Sequence, residues 1–302
     1  MAITPIILQK PTPSVRRTES MRGIALMAMG MFLFSGVDAI GKFLTETVHP
    51  IQIVWFRQLG LLLGVVVLIG VRGRLVLISS NPKLQIGRGV LAACSATLFI
   101  IGVSYVPLAD AVAITFVAPF MVTVMGALIL REPVGIRRWT AVIVGFIGTL
   151  IVIRPGMGVI HPAAILLIAA ATAFALRQVL SRILAGEDKT QTTVAYTAIV
   201  SWTLLTIPLP FVWQNPMGTL EISLLVGMAV VAAFAEVLVI MALDAAQAVV
   251  VAPVHYSLLI WGTFYGFVVF GELPDAWTWV GALILVATGL YTLNRERLAL
   301  KP

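Results

Sequence analysis

The sequence has 302 residues, of which 60% are hydrophobic and 11% are charged, and its formal net charge is +7. A mean hydropathy of +1.05, with a charged share well below the roughly one quarter of soluble domains, excludes an ordinary soluble domain. The basic residues are dispersed through short segments rather than gathered into a patch with interleaved aromatic residues, so the positive charge does not indicate nucleic-acid binding. The sequence predicts an all-α integral membrane protein.

Hydropathy and helix-breaking residues divide the chain into ten candidate membrane spans. Each is close to the roughly 20 residues that cross a bilayer as a helix. Short turns at Pro107 and Pro274 leave little room for extramembrane domains, so we expect a compact helical bundle. The predicted spans are 22–44, 52–71, 87–105, 107–130, 139–154, 162–184, 193–213, 221–242, 248–270 and 277–293.

Two of these stretches, 107–132 and 247–272, share one plan: an apolar run with a proline inside it and an acid at its end. Pro119 and Pro253 each remove a backbone donor, so each predicts a helix that is kinked or broken inside the membrane. An offset of 140 positions relates the two stretches and continues beyond them. It pairs Thr123 with Thr263, Gly126 with Gly266, Glu132 with Glu272, Lys42 with Arg182, and Trp139 with Trp279. The offset predicts an internal duplication.

The basic residues are also distributed asymmetrically between the two sides of the predicted membrane. With the N-terminus in the cytoplasm, sixteen of the 20 Lys and Arg residues fall on the inner side, whereas Lys42 and Arg154 fall outside and Arg57 and Arg177 within spans. This bias predicts that both termini are cytoplasmic. Ten spans then form two repeats of five, and because five is odd the second repeat enters the membrane from the opposite side.

The predicted organisation is therefore two inverted five-helix repeats, an arrangement typical of transporters that alternate access around a site at the repeat interface. We expect a cytoplasmic tail at 1–21, the first repeat at 22–155, the second at 161–294 and a second cytoplasmic tail at 295–302.

The chain resembles the drug/metabolite transporter superfamily, and among its members the ten-helix proteins built from two EamA domains. The resemblance extends from about Met21 to Arg297. It implies a transporter of the bacterial inner membrane. Members of the superfamily move amino acids, nucleotide-like molecules, vitamins, drugs or amines in either direction, and this chain is most similar to importers of riboflavin and of S-adenosylmethionine. The residues that carry the resemblance are PLADAVAITFVAP and LREPVGIRRWTAVIVGFIGTLIVIRPG in the first half, and VAPVHYSLLIWGTFYGFVVFGELPDAWTWVGALILVATGLY in the second.

Charged residues inside the spans are the first candidates for a transport site, since each costs about 2.5 to 3.5 kcal/mol on insertion scales. Asp38 lies four positions before Lys42, so the two are predicted to face one way on one helix as an acid–base pair, unless Lys42 extends to the outer interface instead. Arg57 is either an interfacial cation or a cation at the outer mouth that pairs with Asp38 or with an acceptor on the substrate. Glu236 is the deepest isolated acid. It is read either as a proton-coupling group or as the ion-pair partner of Arg177.

Aromatic residues with polar edges are the second group of candidates, because rings can hold a flat ligand while their O–H, N–H and imidazole groups orient it. His255 and Tyr256 follow the break at Pro253 directly and have the strongest claim to a pocket. The other members of this group are Tyr105, Phe116 and Trp261.

No enzymatic, metal or nucleotide-binding motif is present, so the sequence predicts no enzyme, no cofactor and no metal site. The expected partners are a small-molecule substrate and the lipid bilayer, with a homodimer left open. Riboflavin is ranked first, because an uncharged planar ring needs stacking surfaces rather than paired charges. S-adenosylmethionine, which would call for a carboxylate such as Asp38 or Glu236, and a general amino-acid or metabolite transporter are the alternatives, and an intramembrane enzyme or a channel ranks lower.

Overall fold

The computed structural model describes residues 13–132, 134–154, 162–184, 187–215, 218–246 and 248–299. All regular structure in these ranges is helical, which confirms the all-α prediction. Two 3₁₀ segments, Arg74–Leu77 and Ala252–Tyr256, join α-helices. The α-helices are α1 Pro13–Leu44, α2 Pro50–Arg72, α3 Pro82–Val103, α4 Leu108–Thr115, α5 Ala118–Ile129, α6 Ile136–Ile153, α7 Ala163–Leu184, α8 Thr190–Thr206, α9 Leu209–Val212, α10 Thr219–Ala245, α11 Ala248–Val251, α12 Ser257–Phe270 and α13 Ala276–Ala299.

Nine spans within the described residues are long and apolar enough to cross a membrane, rather than the ten predicted. The difference lies at the predicted span 193–213, where a turn at Ile207 and Pro208 separates α8 from the short α9. Helices also extend into both predicted tails, because α1 begins at Pro13 and α13 continues to Ala299. The chain is a multi-pass membrane protein, and its tenth crossing remains a prediction.

The two proline-containing stretches are interrupted helices. Phe116 and Val117 form a turn between α4 and α5, and Pro119 lies in the first turn of α5, where its missing N–H leaves no helix bond unmade. In the second stretch, Pro253 lies within the 3₁₀ segment that separates α11 from α12. Each of these two segments therefore crosses the bundle as two shorter pieces.

Helices of the two halves pack in reciprocal combinations. The α1–α10 and α3–α7 contacts are the most extensive, and they are counterparts if the two halves of the chain are exchanged. The α3–α8 and α2–α10 contacts are counterparts in the same sense. Likewise, α1 packs on α12 and α7 packs on α5. Exchanging the first five predicted spans with the second five turns each contact into its counterpart. The packing is that of two similar halves, although the repeat boundaries themselves remain a prediction.

The two halves also share a chain reversal at the ends of α5 and α12. Arg131 has φ 54° and Gly271, 140 positions later, has φ 68°, so both adopt the left-handed conformation that closes a helix. The next residue then bonds back to its helix: Glu132 N–H donates to the Gly126 carbonyl at 3.2 Å and Glu272 N–H to the Gly266 carbonyl at 3.0 Å. This turn aims each glutamate side chain back toward the bundle.

Candidate transport site

Lys42 and Glu272 form a largely buried ion pair between α1 and the end of α12. The Lys42 Nζ atom lies 2.6 Å from Glu272 Oε2, and the two side chains are 10% and 33% exposed. Lys42 also donates to the Val106 carbonyl at 3.0 Å, and the Leu108 N–H donates to Glu272 at 3.4 Å. The predicted pairing of Lys42 with Asp38 is therefore wrong, since Lys42 bonds across the interface between the halves.

The counterpart of this pair lies at the other end of the bundle. Arg182 on α7 and Glu132 after α5 are the residues that the 140-position offset assigns to Lys42 and Glu272. Their Nη1 and Oε2 atoms are 3.2 Å apart, and the side chains are 47% and 38% exposed. Each ion pair thus joins one half to the other, but the Arg182–Glu132 pair is longer and its cation is far more exposed.

Asp38 pairs instead with Arg57 of α2. The Arg57 Nη1 atom donates to Asp38 Oδ1 at 3.1 Å, and the Asp38 side chain is 10% exposed. The guanidinium also lies 5.8 Å from the centre of the Phe34 ring. Of the two interpretations of Arg57, the structure supports the partner of Asp38. Asp38 lies one helical turn before Lys42 on α1.

Three further charged residues lie inside helices: Arg177 in α7, Glu236 in α10 and Arg88 in α3. Arg177 on α7 packs its guanidinium 4.8 Å from the centre of the Phe174 ring. Its Nε atom is buried and has no hydrogen-bond partner. Among the described residues Arg177 forms no ion pair with Glu236 of α10, so the interpretation of Glu236 as the ion-pair partner of Arg177 is wrong.

Arg88 is a residue that the sequence analysis missed, having counted it only among the basic residues on the inner side, at the start of the predicted span 87–105. It lies inside α3 and donates from Nε to the Ser181 hydroxyl at 2.7 Å, and from Nη1 to the Thr197 hydroxyl and to the Thr193 carbonyl at 3.2 Å. A signal was available, because Asn81 followed by Pro82 is a typical helix start and places Arg88 well inside the helix.

Four of the five aromatic candidates occupy three places rather than one. Phe116 and Tyr256 come together, with ring centroids 5.2 Å apart and planes at 47°. Trp261 meets Phe32 of α1 edge to face at 5.1 Å. Tyr105 is separate and lines a cavity of about 270 Å³ beside the Lys42–Glu272 pair. The structure therefore offers no single sandwich built from all of these rings.

The interior around α1 and α12 holds polar groups without partners. The hydroxyl oxygens of Ser35 and Ser257 and the indole nitrogen of Trp261 are buried and make no hydrogen bond. His255, in the same segment, is exposed. Buried polar groups usually find partners, so these groups are candidates to bond water or a solute.

Two loop aspartates fasten the ends of the bundle. At one end Asp188 accepts hydrogen bonds from Gln85 Nε2 at 2.7 Å and from Ser80 N–H at 2.8 Å. Together with the Ser79 hydroxyl, which has the largest effect, these donors hold the pKa of Asp188 at about 2. At the other end Asp275 lies 2.6 Å from Arg154 Nη1. Burial raises the pKa of Asp275, but the Thr278 N–H and Arg154 outweigh it, and the pKa lies below its usual range.

Comparison with known proteins identifies a family and several relatives of this chain. The family model of the EamA-like transporter family matches residues 21–154. The chain is 31% identical over 211 residues to a riboflavin transporter of Vibrio cholerae, covering 69% of this chain and 70% of that protein. It is 24% identical over 277 residues to an S-adenosylmethionine uptake transporter of Rickettsia prowazekii, covering 92% and 94% of the two chains. A protein of known crystal structure superposes with a TM-score of 0.63 at 15% identity, covering 94% of this chain and 99% of that one.

The helical bundle, with charged and polar groups held between its spans, defines a multi-pass membrane protein of the transporter class. The similarity to the known proteins specifies the family. This chain belongs to the EamA-like transporter family and is a small-molecule transporter.

Proposed function

We propose that this protein is a secondary transporter that carries a small organic solute across the bacterial inner membrane by alternating access, with both termini in the cytoplasm. The observation that carries the proposal is the pair of reciprocal ion pairs, Lys42–Glu272 and Arg182–Glu132, at opposite ends of the bundle. Each crosses between the proposed repeats, and their different distances and exposures make one end tighter than the other. Inverted repeats that pack asymmetrically are the structural basis of alternating access.

Riboflavin uptake is the first substrate proposal, and it rests on the sequence resemblance and on the ring pair at the helix breaks. Phe116 and Tyr256 offer adjoining aromatic surface, and His255 adds a polar ring one position away. A stacked ring contributes about 0.5 to 1.5 kcal/mol beyond area burial. Replacing either aromatic by leucine should therefore weaken riboflavin affinity by roughly two- to tenfold.

S-adenosylmethionine is the second substrate proposal, favoured by the charged residues between the spans. Its sulfonium and amino-acid head need charged partners, and Asp38, Arg177 and Glu236 all lie in the interior of the bundle. The relatives of this name also match over nine tenths of both chains.

One experiment separates carrier from pore and tests both solutes. The full chain is reconstituted in proteoliposomes, and counterflow of labelled riboflavin and of labelled S-adenosylmethionine is measured, each with the other as competitor. A carrier shows saturable exchange of labelled for unlabelled solute. Flux that rises linearly with concentration and shows no counterflow would contradict the carrier mechanism. Inhibition of riboflavin uptake by S-adenosylmethionine would move the assignment to the second solute.

A further inference from the structure

The link between α2 and α3, residues 73–81, carries apolar side chains that the bundle does not cover. Leu75 is 74% exposed and Ile78 is 68% exposed, although both lie outside the candidate membrane spans. The preceding span, α2, has 23 residues, and its length of about 34 Å is close to the thickness of the hydrocarbon core. Leu75 is three residues beyond the last residue of α2, so it lies within about 10 Å of the end of that span. The exposed apolar side of the link is therefore at the level of the lipid headgroups.

The fold fixes the direction in which these side chains point. Gly73 has φ 77°, a conformation that favours glycine, and it turns the chain out of α2 into the 3₁₀ segment Arg74–Leu77. Val76 is buried and packs against α8. A 3₁₀ helix has three residues per turn, so Leu75 and Ile78 lie on one side of the segment and Val76 on another.

Hydrogen bonds hold the link against the connection between α7 and α8. The Tyr196 hydroxyl donates to the Leu77 carbonyl at 3.2 Å, and the Ser80 N–H donates to Asp188 Oδ1 at 2.8 Å. The exposed apolar side is thus part of a surface that the bundle positions.

Basic residues flank the exposed apolar side. Arg72 ends α2 and Arg74 begins the 3₁₀ segment, both are exposed, and among the described residues neither forms an ion pair. The surroundings are positive overall, with four exposed cations against two acids. These groups are Arg72, Arg74, Lys83 and Lys189, with Glu187 and Asp188. Both acids lie against the Ser80 hydroxyl of the link, so they are not bonded to either arginine.

This combination of groups matches a phospholipid better than a soluble ligand. The planar fork of an arginine matches the oxygens of a phosphate, and the apolar side of an interfacial segment inserts about 5 to 10 Å into the boundary between headgroups and acyl chains. A free anion would bind the arginines but leave Leu75 and Ile78 in water. A neutral apolar partner would cover those two side chains but leave Arg72 and Arg74 without an anion.

We propose that the α2–α3 link binds an anionic phospholipid of the adjacent leaflet, with Arg72 and Arg74 on its phosphate and Leu75 and Ile78 beside its glycerol and first acyl carbons. In the proposed orientation this is the cytoplasmic leaflet. The lipid site lies at the surface of the bundle, and it does not depend on which solute is transported.

The test compares phosphatidylglycerol with phosphatidylcholine of the same acyl chains. Both have the phosphate, but the choline cation of phosphatidylcholine cancels its charge. Dissociation constants of each lipid from the full chain in detergent are measured by native mass spectrometry. One arginine near an anionic lipid surface contributes about fivefold in affinity. We therefore expect the two arginines together to contribute a preference for phosphatidylglycerol of about 30-fold.

Two double variants separate the parts of the site. Arg72→Gln combined with Arg74→Gln should remove this preference by weakening phosphatidylglycerol alone, whereas Leu75→Ser combined with Ile78→Ser should weaken both lipids and keep the preference. Lys189→Gln is the matched control, because it removes an exposed cation from the same end of the bundle but at the start of α8 rather than beside Leu75. The control should keep the preference.

Equal affinity of the unmodified protein for the two lipids would overturn the inference, and this comparison needs no variant to fold. An unchanged preference in the double arginine variant would also overturn it, since the anionic lipid would then bind elsewhere. A loss as large in Lys189→Gln would show only the general charge of this end of the bundle. Glycerol 3-phosphate is the final probe: it should not displace phosphatidylglycerol, and displacement at equal concentration would make the site one for a free anion.

Discussion

The Lys42–Glu272 pair should stabilise the fold measurably, and the protein contains its own control. Removing one partner of a fully buried ion pair costs about 3 to 5 kcal/mol. Because Glu272 is 33% exposed, and exposed pairs are worth about 0 to 1 kcal/mol, we expect a coupling of about 1 to 3 kcal/mol. The Arg182–Glu132 pair, with 47% and 38% exposure, should show less than about 1 kcal/mol.

Two double-mutant cycles measure these couplings. One combines Lys42→Met with Glu272→Gln, and the other combines Arg182→Met with Glu132→Gln. The free energy of unfolding of each variant is obtained by titrating the detergent-solubilised protein with SDS in mixed micelles. The coupling is the difference between the double variant and the sum of the two single variants. Equal couplings in the two cycles, or a larger one for Arg182–Glu132, would refute the argument from burial.

Three further predictions follow from other contacts. A Cβ at Gly60 would overlap the Ala229 carbonyl, whereas one at Gly64 would meet nothing within 4 Å. Gly60→Ala should therefore lower the free energy of unfolding by about 1 to 3 kcal/mol, with Gly64→Ala as the control. An unchanged free energy of unfolding in Gly60→Ala would contradict this packing. Because the pKa of Asp188 is lowered to about 2, its stabilising effect is complete above the ordinary value of about 4 and is lost as the pH falls through about 2. Asp188→Asn should therefore flatten the acid dependence of unfolding in this window, and an unaltered slope would count against it. Glu236→Gln should reduce uphill accumulation of solute under an imposed pH gradient more than it reduces solute exchange, if Glu236 carries the coupling proton; equal loss of both activities would argue for a binding or structural role.

The helices and their interruptions could be predicted because their causes are local. A span needs only a sufficient run of apolar residues, and a proline disrupts a helix wherever it stands. Pro119 and Pro253 therefore located both interruptions. The predicted span 193–213 is different, because Pro208 divides its apolar run. The run alone does not show whether its two parts continue through the membrane as one crossing.

The ion-pair partners could not be predicted in the same way. Spacing along one helix reveals neighbours such as Asp38 and Lys42, but the partner that Lys42 bonds is 230 positions away and depends on how α1 and α12 pack. The internal offset did hold the missing information. It relates Lys42 to Arg182 and Glu272 to Glu132, so a packing of the two halves that places Lys42 beside Glu272 also predicts Arg182 near Glu132.

Arg88 shows a different limit of sequence analysis. Hydropathy places the start of the third predicted span at residue 87, so Arg88 was counted as a basic residue at its inner end. In the structure α3 begins before it and neutral oxygens of α7 and α8 satisfy its guanidinium. A buried arginine can thus be solvated by hydroxyl and carbonyl groups that no charge pattern reveals.

The contact between Phe116 and Tyr256 has a geometric consequence, since the two residues are themselves 140 positions apart. Two residues that the repeat relates to each other, and that are in contact, must lie at the pseudo-two-fold axis of the proposed repeats. If the halves exchange conformations during transport, this contact maps onto itself and is kept in both states. The Lys42–Glu272 pair instead maps onto Arg182–Glu132, so the tight pair opens while the loose one closes. On the proposed alternating-access mechanism, the aromatic contact would be the pivot of the motion, and the two ion pairs would lie at the ends that move.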